Sequence, residues 1–436
     1  MKKKHTKSNK KPQNKKSQVF CPEYMLNFSC IGSACPDSCC AGWTVSIDKE
    51  TFKKYRNYRG NDEHLRTLFT ENVLPNTLNR SAMNTAQIKM DENNACPFLD
   101  ENSLCRIQLA QGHDALSHTC TTYPRTLNQI NDELEYSATL SCPEVARMVL
   151  LNPEGLRFTS TPLELPKSLT PNFTLSRISK SPLQLVQKYF YPIQFTGINI
   201  LQNRLFSLEY RLILIGELSK KILTVAFGEE ELFDRIMQQY DKLAFLKLFV
   251  ESFDSIEPQH FEQIELLKKW SEGDAKYHKI AETALAAIIG DKRDTNDESE
   301  KSNEIDESSK KEILARYQEG LEKYSAFVQK KSYILENYLV NTMFQEAYPG
   351  VVYDDNIAKI HISLAHFLLS MKFIILRTTI IGLLIKGEEL TDEYILSLIQ
   401  LFAKRFHHSP GIKNNFMHFY QEEENRSESI SQLLKL

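Results

Sequence analysis

The segment Cys30-Ile-Gly-Ser-Ala-Cys35-Pro-Asp-Ser-Cys39-Cys40-Ala-Gly-Trp43 opens the cysteine-rich region that decides the fold of this chain. Five further cysteines lie outside this segment, at Cys21, Cys96, Cys105, Cys120 and Cys142. Residues 143–436 contain no cysteine. Cysteine is concentrated locally in this way for one of two purposes, which are disulfide bonds and metal binding.

The N-terminal residues favour a reducing compartment. Residues 1–19 contain eight lysines and no acidic residue. They also lack the apolar run of about 7–15 residues that a signal peptide needs. We therefore expect a cytoplasmic protein with reduced thiols, in which a cysteine cluster usually binds metal. The odd total of nine cysteines would also leave one unpaired in an all-disulfide scheme.

Thiolate sulfur is a ligand that suits zinc and iron–sulfur centres. The spacing here matches neither the paired C-x2-C of zinc ribbons nor the C-x2-C-x2-C-x3-C run of bacterial ferredoxins. Eight thiols can form two four-cysteine sites, or one site with the others free, bridged or buried as small apolar side chains. The adjacent Cys39 and Cys40 point in different directions and would serve different sites. The predicted metal ligands are Cys30, Cys35, Cys39, Cys40, Cys96, Cys105, Cys120 and Cys142.

Composition excludes several classes of function. The net charge of −3 over 436 residues provides no field for nucleic acid. Fifteen glycines are too few to suggest Gly-rich phosphate loops, and no G-x-G-x-x-G follows a predicted strand. The longest apolar run, Ile374 to Ile385, lies in a segment that Lys372 and Arg377 interrupt. This pattern predicts a buried core helix, and we expect neither a membrane nor a nucleic acid partner.

The fold class that the sequence predicts is mainly α. A small, irregular α+β metal-binding module precedes a larger all-helical region, in which Leu201, Leu205 and Leu208 begin an apolar repeat of helical period. Twelve charged residues among the twenty of 291–310 predict a disordered linker. The predicted segments are a disordered basic tail (1–19), the cysteine-rich module (20–151), a connector (152–182), a helical region (183–290), the charged linker (291–310) and a C-terminal helical region (311–436).

These residues resemble one known family, the flagellin lysine N-methylases. The string from Cys30 to Trp43 is similar to the opening motif of that family. The likeness continues at Cys96-Pro-Phe-Leu, Leu104-Cys105-Arg-Ile-Gln, Ser117-His-Thr-Cys120-Thr-Thr-Tyr123-Pro-Arg125 and Ser141-Cys142-Pro-Glu144. Helical segments that look similar are Leu201-Gln-Asn-Arg204, Arg211-Leu-Ile, Glu336-Asn-Tyr-Leu and Phe402-Ala-Lys-Arg405-Phe-His407-His408.

The resemblance implies an enzyme that transfers methyl groups from S-adenosylmethionine to lysine side chains of flagellin. It also implies a metal centre, with an iron–sulfur cluster favoured over zinc. The C-x3-C-x2-C triplet of most radical enzymes is absent, so we expect the metal to be structural or redox-sensing. Tyr123 and Arg125 are candidates for binding the cofactor, with packing and ion pairing as their alternative roles. His407 and His408 fit a helix C-terminus, where positive charge is favourable.

Two other classes of function compete with the enzyme. In the first, the protein binds metal or senses redox state and uses its helices to bind a partner, without methyltransferase activity. In the second, the cysteines hold zinc purely as a structural scaffold. Visible absorption of the purified protein separates iron–sulfur clusters from zinc.

Overall fold

We describe a computed structural model, which places residues 16–77, 80–166, 168–175, 184–226, 228–272, 276–290, 306–352, 358–408, 410–422 and 426–436. Most of the predicted tail and charged linker, residues 1–15 and 291–305, lie outside the described residues. Residues 17–19, which the tail prediction included, instead begin a strand because Val19 is buried in a sheet. Residues 307–310, which the linker prediction included, begin a helix.

A five-stranded sheet connects the cysteine-rich part of the chain to the helices. Its strands are β1 (Ser17–Pro22), β5 (Arg125–Ile130), β6 (Glu133–Ala138), β7 (Phe158–Leu163) and β8 (Phe173–Leu175), in the order β7-β1-β6-β5-β8. The β5–β6 hairpin is antiparallel, with Arg125 opposite Ala138, whereas β1 runs parallel to β6. The predicted connector, 152–182, therefore contributes β7 and β8 to this sheet, so it is not simply a link between two regions.

The first cysteines lie beside a second, smaller core. It is built from β2 (Ser46–Ile47), α1 (Lys49–Arg56), α2 (Glu63–Asn72), β3 (Val73–Pro75), β4 (Ala86–Ile88), α3 (Arg106–Gln111) and α4 (His118–Thr122). Asp48 accepts a hydrogen bond from the Thr51 backbone at 2.9 Å and caps α1, as the sequence predicted. Pro143 stands in the first turn of α5 (Pro143–Leu150), which is also confirmed.

The remainder of the described chain is helical apart from one short hairpin, β9 (Gly350–Val352) with β10 (Ala358–Ile360). Its helices are α6 (Gln184–Lys188), α7 (Phe190–Leu201), α8 (Leu208–Leu223), α9 (Glu230–Tyr240), α10 (Leu243–Glu251), α11 (His260–Ser271), α12 (Lys276–Ile289), α13 (Glu307–Gln345), α14 (Ile362–Lys386), α15 (Asp392–Phe406), α16 (Pro410–Glu422) and α17 (Arg426–Leu434). The mainly α fold class is confirmed.

Helix α14 is the predicted core helix. It is long and apolar enough to cross a membrane, but 89% of its most apolar window is buried inside the protein. Arg377, which interrupts the apolar run, is fully buried and donates to the carbonyl oxygens of Leu433 and Leu434 at 2.9 and 2.7 Å. The prediction of a buried core helix is confirmed.

One buried carboxylate explains several of the helical motifs in the sequence. Glu336 on α13 accepts from Arg204 and from Arg211, each at 2.9 Å. The next residue, Asn337, donates to the carbonyl oxygens of Val149 and Asn152 at 3.0 and 2.7 Å. These contacts hold α13 against both α8 and α5. The buried Glu336 carboxylate has arginine partners, and these offset the cost of removing its charge from water.

Glu135, at the centre of the sheet, makes the stability of the fold depend on pH. Its side chain is fully buried, and neither oxygen accepts a well-formed hydrogen bond. Burial raises the pKa of this carboxyl from its usual value to about 8, although nearby Gln194 and Asn128 lower it somewhat. Since the folded state keeps a proton that the unfolded chain releases above about pH 4.5, the free energy of unfolding falls as pH rises toward 8.

We expect Glu135→Gln to stabilise the protein by roughly 2–3 kcal/mol at pH 7 and by nothing at pH 4.5, because glutamine cannot ionise. Urea unfolding between pH 4.5 and 8 measures the difference. The exposed Glu133→Gln on the same strand is the control and should leave the pH dependence unchanged. Parallel pH profiles for the wild type and Glu135→Gln would contradict the assignment.

Candidate functional site

Four cysteines from three separate segments come together beside the smaller core. They are Cys39, Cys96, Cys105 and Cys120, and a charge on Cys39 raises the pKa of each of the other three. Burial, followed by this mutual repulsion, raises the pKa of Cys96 and of Cys120 to about 12. Thiols in such a group ionise when a cation supplies the opposite charge, so the arrangement suits a metal centre. We call these four residues the thiol group.

Local backbone structure places the members of the thiol group. Residues 30–43 form what we call the cysteine loop. The Cys96 amide donates to the Cys40 carbonyl oxygen at 2.7 Å, which holds this loop beside the segment that begins at Cys96. Cys105 stands at the N-cap of α3, where backbone N–H groups face its sulfur, and Cys120 lies in the first turn of α4. Helix N-termini favour thiolates, which adds to the suitability of these positions for metal ligands.

A second group shares Cys39 with the first. Cys35 is influenced by the charges of Cys39 and Cys30, and Cys142 by those of Cys35 and Cys39. Cys40 hydrogen-bonds to the Cys39 thiol, which is the largest cause of the raised pKa of Cys39. All eight predicted ligands are free thiols, and their assignment as metal ligands stays a prediction.

The chemistry of the thiol group fits both zinc and iron–sulfur centres, because each uses cysteine thiolates as ligands. Within the parts of the chain that the structure describes, no three Cys, His, Asp or Glu side chains converge closely enough to hold a metal ion. Metal binding itself stays a prediction.

Asp37, between Cys35 and Cys39, anchors the cysteine loop to the helical region. Its carboxylate accepts from Lys404 and Gln400 on α15 at 2.8 and 2.9 Å, and from Lys276 on α12 at 3.4 Å. Burial alone would raise the pKa of Asp37, but the contacts with Lys404, Gln400 and Lys276 outweigh burial and hold it below its usual range.

Aromatic side chains reinforce this junction. The Trp43 ring lies 5.3 Å from the rings of both Tyr123 and His408, and Trp43 Nε1 donates to the Cys39 carbonyl oxygen at 2.6 Å. Ser141 Oγ hydrogen-bonds to His408 Nε2 at 2.7 Å and to the Tyr123 hydroxyl at 3.1 Å. The junction therefore fixes the segment that leads into Cys142.

A cavity of about 690 Å³ opens between the cysteine-rich part and the helices. His118 and Thr119 of α4, next to Cys120, form part of one wall. The opposite wall comes from the end of α13, the middle of α14, the end of α15 and one residue of α16. Its polar residues are Gln345, Glu346, Lys372, His407 and His408, and its apolar residues include Met343, Leu368, Leu369, Phe406 and Phe416.

The two histidines in this wall are neutral. Burial, with the charge of Lys372 as the next cause, lowers the pKa of His407 to about 3, and burial with Lys404 lowers the pKa of His408 to about 4. His407 follows the last residue of α15, as a helix cap would. The positive charge that the sequence led us to expect at this helix end is absent. The cost of burying a charged imidazole outweighs its attraction to the helix dipole. Neither buried ring nitrogen of His407 has a hydrogen-bond partner within the described structure.

Tyr123 and Arg125, the predicted cofactor residues, do not line this cavity. Tyr123 packs in the aromatic junction, and the Arg125 guanidinium lies 5.2 Å from the centre of the Phe28 ring. Their assignment to a cofactor stays a prediction. The sequence reasoning did not identify Glu346 or Lys372 as site residues, although a lysine within an apolar helix was a visible signal of a polar site.

The model of the FliB lysine N-methylase C-terminal domain matches residues 195–436, which is more than half of the chain. The chain belongs to the FliB lysine N-methylase family. The matched region supplies α13, α14 and α15, the helices of the wall that carries Glu346 and Lys372.

The chain is also similar to individual proteins. The chain is 39% identical over 135 residues to the flagellar biosynthetic protein FliU of Salmonella muenchen, covering 31% of this chain and 78% of that protein. It is 38% identical over 135 residues to the lysine-N-methylases of Salmonella choleraesuis and Salmonella typhimurium. Those alignments span about a third of each lysine-N-methylase. No solved structure matches the chain.

Lys404 and Lys276 both contact the Asp37 carboxylate, so the effects of replacing each lysine on stability can be compared. We expect Lys404→Met to lower the free energy of unfolding by about 1–3 kcal/mol, because it leaves a largely buried carboxylate without its main partner. Lys276→Met should change it by less than about 0.5 kcal/mol, since the Lys276 side chain is 75% exposed. Urea unfolding at neutral pH measures both, and equal losses would argue against the anchoring role of Lys404.

Proposed function

We propose that this protein is an S-adenosylmethionine-dependent methyltransferase that acts on lysine side chains of flagellin. The observation that carries the proposal is the family match over the helices that form one wall of the cavity. The similar proteins, one a flagellar biosynthetic protein and two lysine-N-methylases, support a flagellar protein as the substrate.

The proposed reaction needs positioning and deprotonation. A neutral lysine amine forms the new N–C bond while the methyl carbon leaves sulfur, and S-adenosylhomocysteine and a proton are released. Leu368 and Leu369 form an apolar wall, which disfavours a charged ammonium. Burial of the substrate lysine against this wall lowers its pKa and favours the neutral amine, which is the nucleophile. In this proposal a ring nitrogen of neutral His407, which lines the cavity and has no hydrogen-bond partner among the described residues, accepts a hydrogen bond from that amine.

We further propose that the thiol group holds an iron–sulfur cluster, with zinc as the alternative. The four thiols, whose charges raise one another's pKa, support a metal centre here, and the family resemblance favours the cluster over zinc. The other four predicted ligands, Cys30, Cys35, Cys40 and Cys142, would serve a second site or remain free or bridged. Methyl transfer from a sulfonium to an amine requires no radical, so the proposed role of the metal is structural or redox-sensing.

The metal proposal predicts a specific pattern of metal loss. We expect Cys96→Ala and Cys120→Ala to remove most of the iron and the visible absorption, because each deletes one ligand of a four-thiol set. Cys21→Ala is the control and should retain both, since Cys21 is buried in β1, outside the eight predicted ligands. Elemental analysis and spectra of anaerobically purified protein measure the loss. Material that contains neither iron nor zinc would refute the metal centre.

The decisive experiment for the enzyme is incubation with purified flagellin and methyl-labelled S-adenosylmethionine under anaerobic conditions. We expect label on flagellin lysines, identified by mass spectrometry of peptides. If metal-loaded protein transfers no label, the metal-binding or redox-sensing alternative is favoured. Folded cysteine variants that lose metal and keep their activity would support the structural role, whereas a 5′-deoxyadenosine product would overturn it.

A further inference from the structure

One ion pair in the cavity wall places a buried lysine within a largely apolar helix. Glu346, directly after α13, pairs with Lys372 in the middle of α14. Lys372 is 5% exposed and is followed on α14 by Phe373 and Ile374, which are fully buried. Burial of such a pair gains little over an apolar pair of the same volume, because desolvation offsets the attraction. Stability alone therefore gives little reason for a lysine here.

The charge inventory of the cavity is simple. Among the described residues that line it, Glu346 is the one carboxylate and Lys372 the one ammonium. His407 and His408 are held neutral by burial. The site thus presents one negative and one positive group side by side, with polar amides next to them and apolar side chains beyond.

We propose that Glu346 and Lys372 bind the α-amino acid end of S-adenosylmethionine. In this arrangement Lys372 Nζ donates to the ligand's α-carboxylate, and the Glu346 carboxylate accepts from its α-ammonium. The apolar residues of the same cavity, including Leu368 and Phe416, would face the adenosyl part. The assignment rests on the proposed function and adds the site at which the methyl donor is recognised.

The charges favour a zwitterion over the substrate lysine as the occupant. An isolated ammonium would meet attraction from Glu346 and repulsion from Lys372 at similar distance, so the two effects would largely cancel. An α-amino acid carries both charges on adjacent groups and complements both side chains at once. Charge-assisted hydrogen bonds of this kind are the strong ones, and a pocket of several hundred Å³ suits a ligand of this size.

Two adenosyl thioethers test the assignment by binding alone. S-adenosylhomocysteine carries the amino acid group, whereas 5′-methylthioadenosine lacks it. We expect wild-type protein to bind the first roughly 10–100-fold more tightly by calorimetry, as charge-assisted hydrogen bonds imply. Lys372→Met and Glu346→Gln should each abolish most of this ratio and leave the affinity for 5′-methylthioadenosine within about threefold of wild type.

Controls separate recognition from damage to the fold. Lys386→Met removes another ion pair of α14, with Glu388 at 2.9 Å, at residues that do not line the cavity, and should preserve the ratio. If a single variant misfolds, the double variant Lys372→Met with Glu346→Gln removes both charges together and leaves none unpaired. Circular dichroism confirms the fold of each variant before binding is measured.

The outcomes distinguish this inference from the proposed function. An unchanged ratio in folded Lys372→Met or in the double variant overturns the assignment, even where wild-type protein methylates flagellin. A wild-type protein that methylates flagellin but binds both thioethers equally also overturns it. A wild-type protein that binds neither compound and transfers no methyl group refutes the proposed function together with the inference.

Discussion

The rest of the structure depends on the burial of α14 from every direction. A helix that is apolar on all faces has to be enclosed by neighbours, and α8, α11, α12, α13 and α17 pack around it. This enclosure fixes the ends of α13 and α15 next to the middle of α14, so it also fixes the walls of the cavity. A polar residue on α14 is then acceptable only where a partner or a ligand meets it, as at Lys372 and Arg377.

The cysteine-rich part depends on the same framework in a different way. Its own core is small, and the loop with Cys35 and Cys39 has little buried apolar surface. Asp37 and the aromatic junction attach this loop to α15, so the positions of the sulfurs are set partly by helices far along the chain. A cation among the thiols would add a second set of bonds to these contacts, because the thiols repel one another once ionised.

Local signals in the sequence predicted the elements that depend on local contacts. The cap at Asp48, the proline at the start of α5 and the core helix α14 follow from hydrogen bonding and hydrophobicity within a few residues. The clustering of cysteines predicted a shared metal site, and that stays a prediction. The grouping around Cys39 could not be predicted, since it depends on how separate turns pack.

Non-local contacts account for what the sequence did not predict. Strand β1 exists because residues 17–22 pair with residues far away, on β6 and β7. The cavity joins α4, α13, α14 and α15, and no spacing in the sequence relates those segments. The neutral state of His407 likewise depends on burial by tertiary packing, which outweighs the local preference for positive charge at a helix end.

The attachment of Asp37 to Lys404 has a consequence for biogenesis. The ribosome synthesises the cysteine loop early, but the lysine that holds it is added some hundreds of residues later. Until α15 has emerged and folded, the thiols lack the support that orders them, and cellular machinery that delivers metal would meet an open, flexible loop. Ordering of the cysteine loop is thereby tied to completion of the helical region, so a truncated chain would lack both.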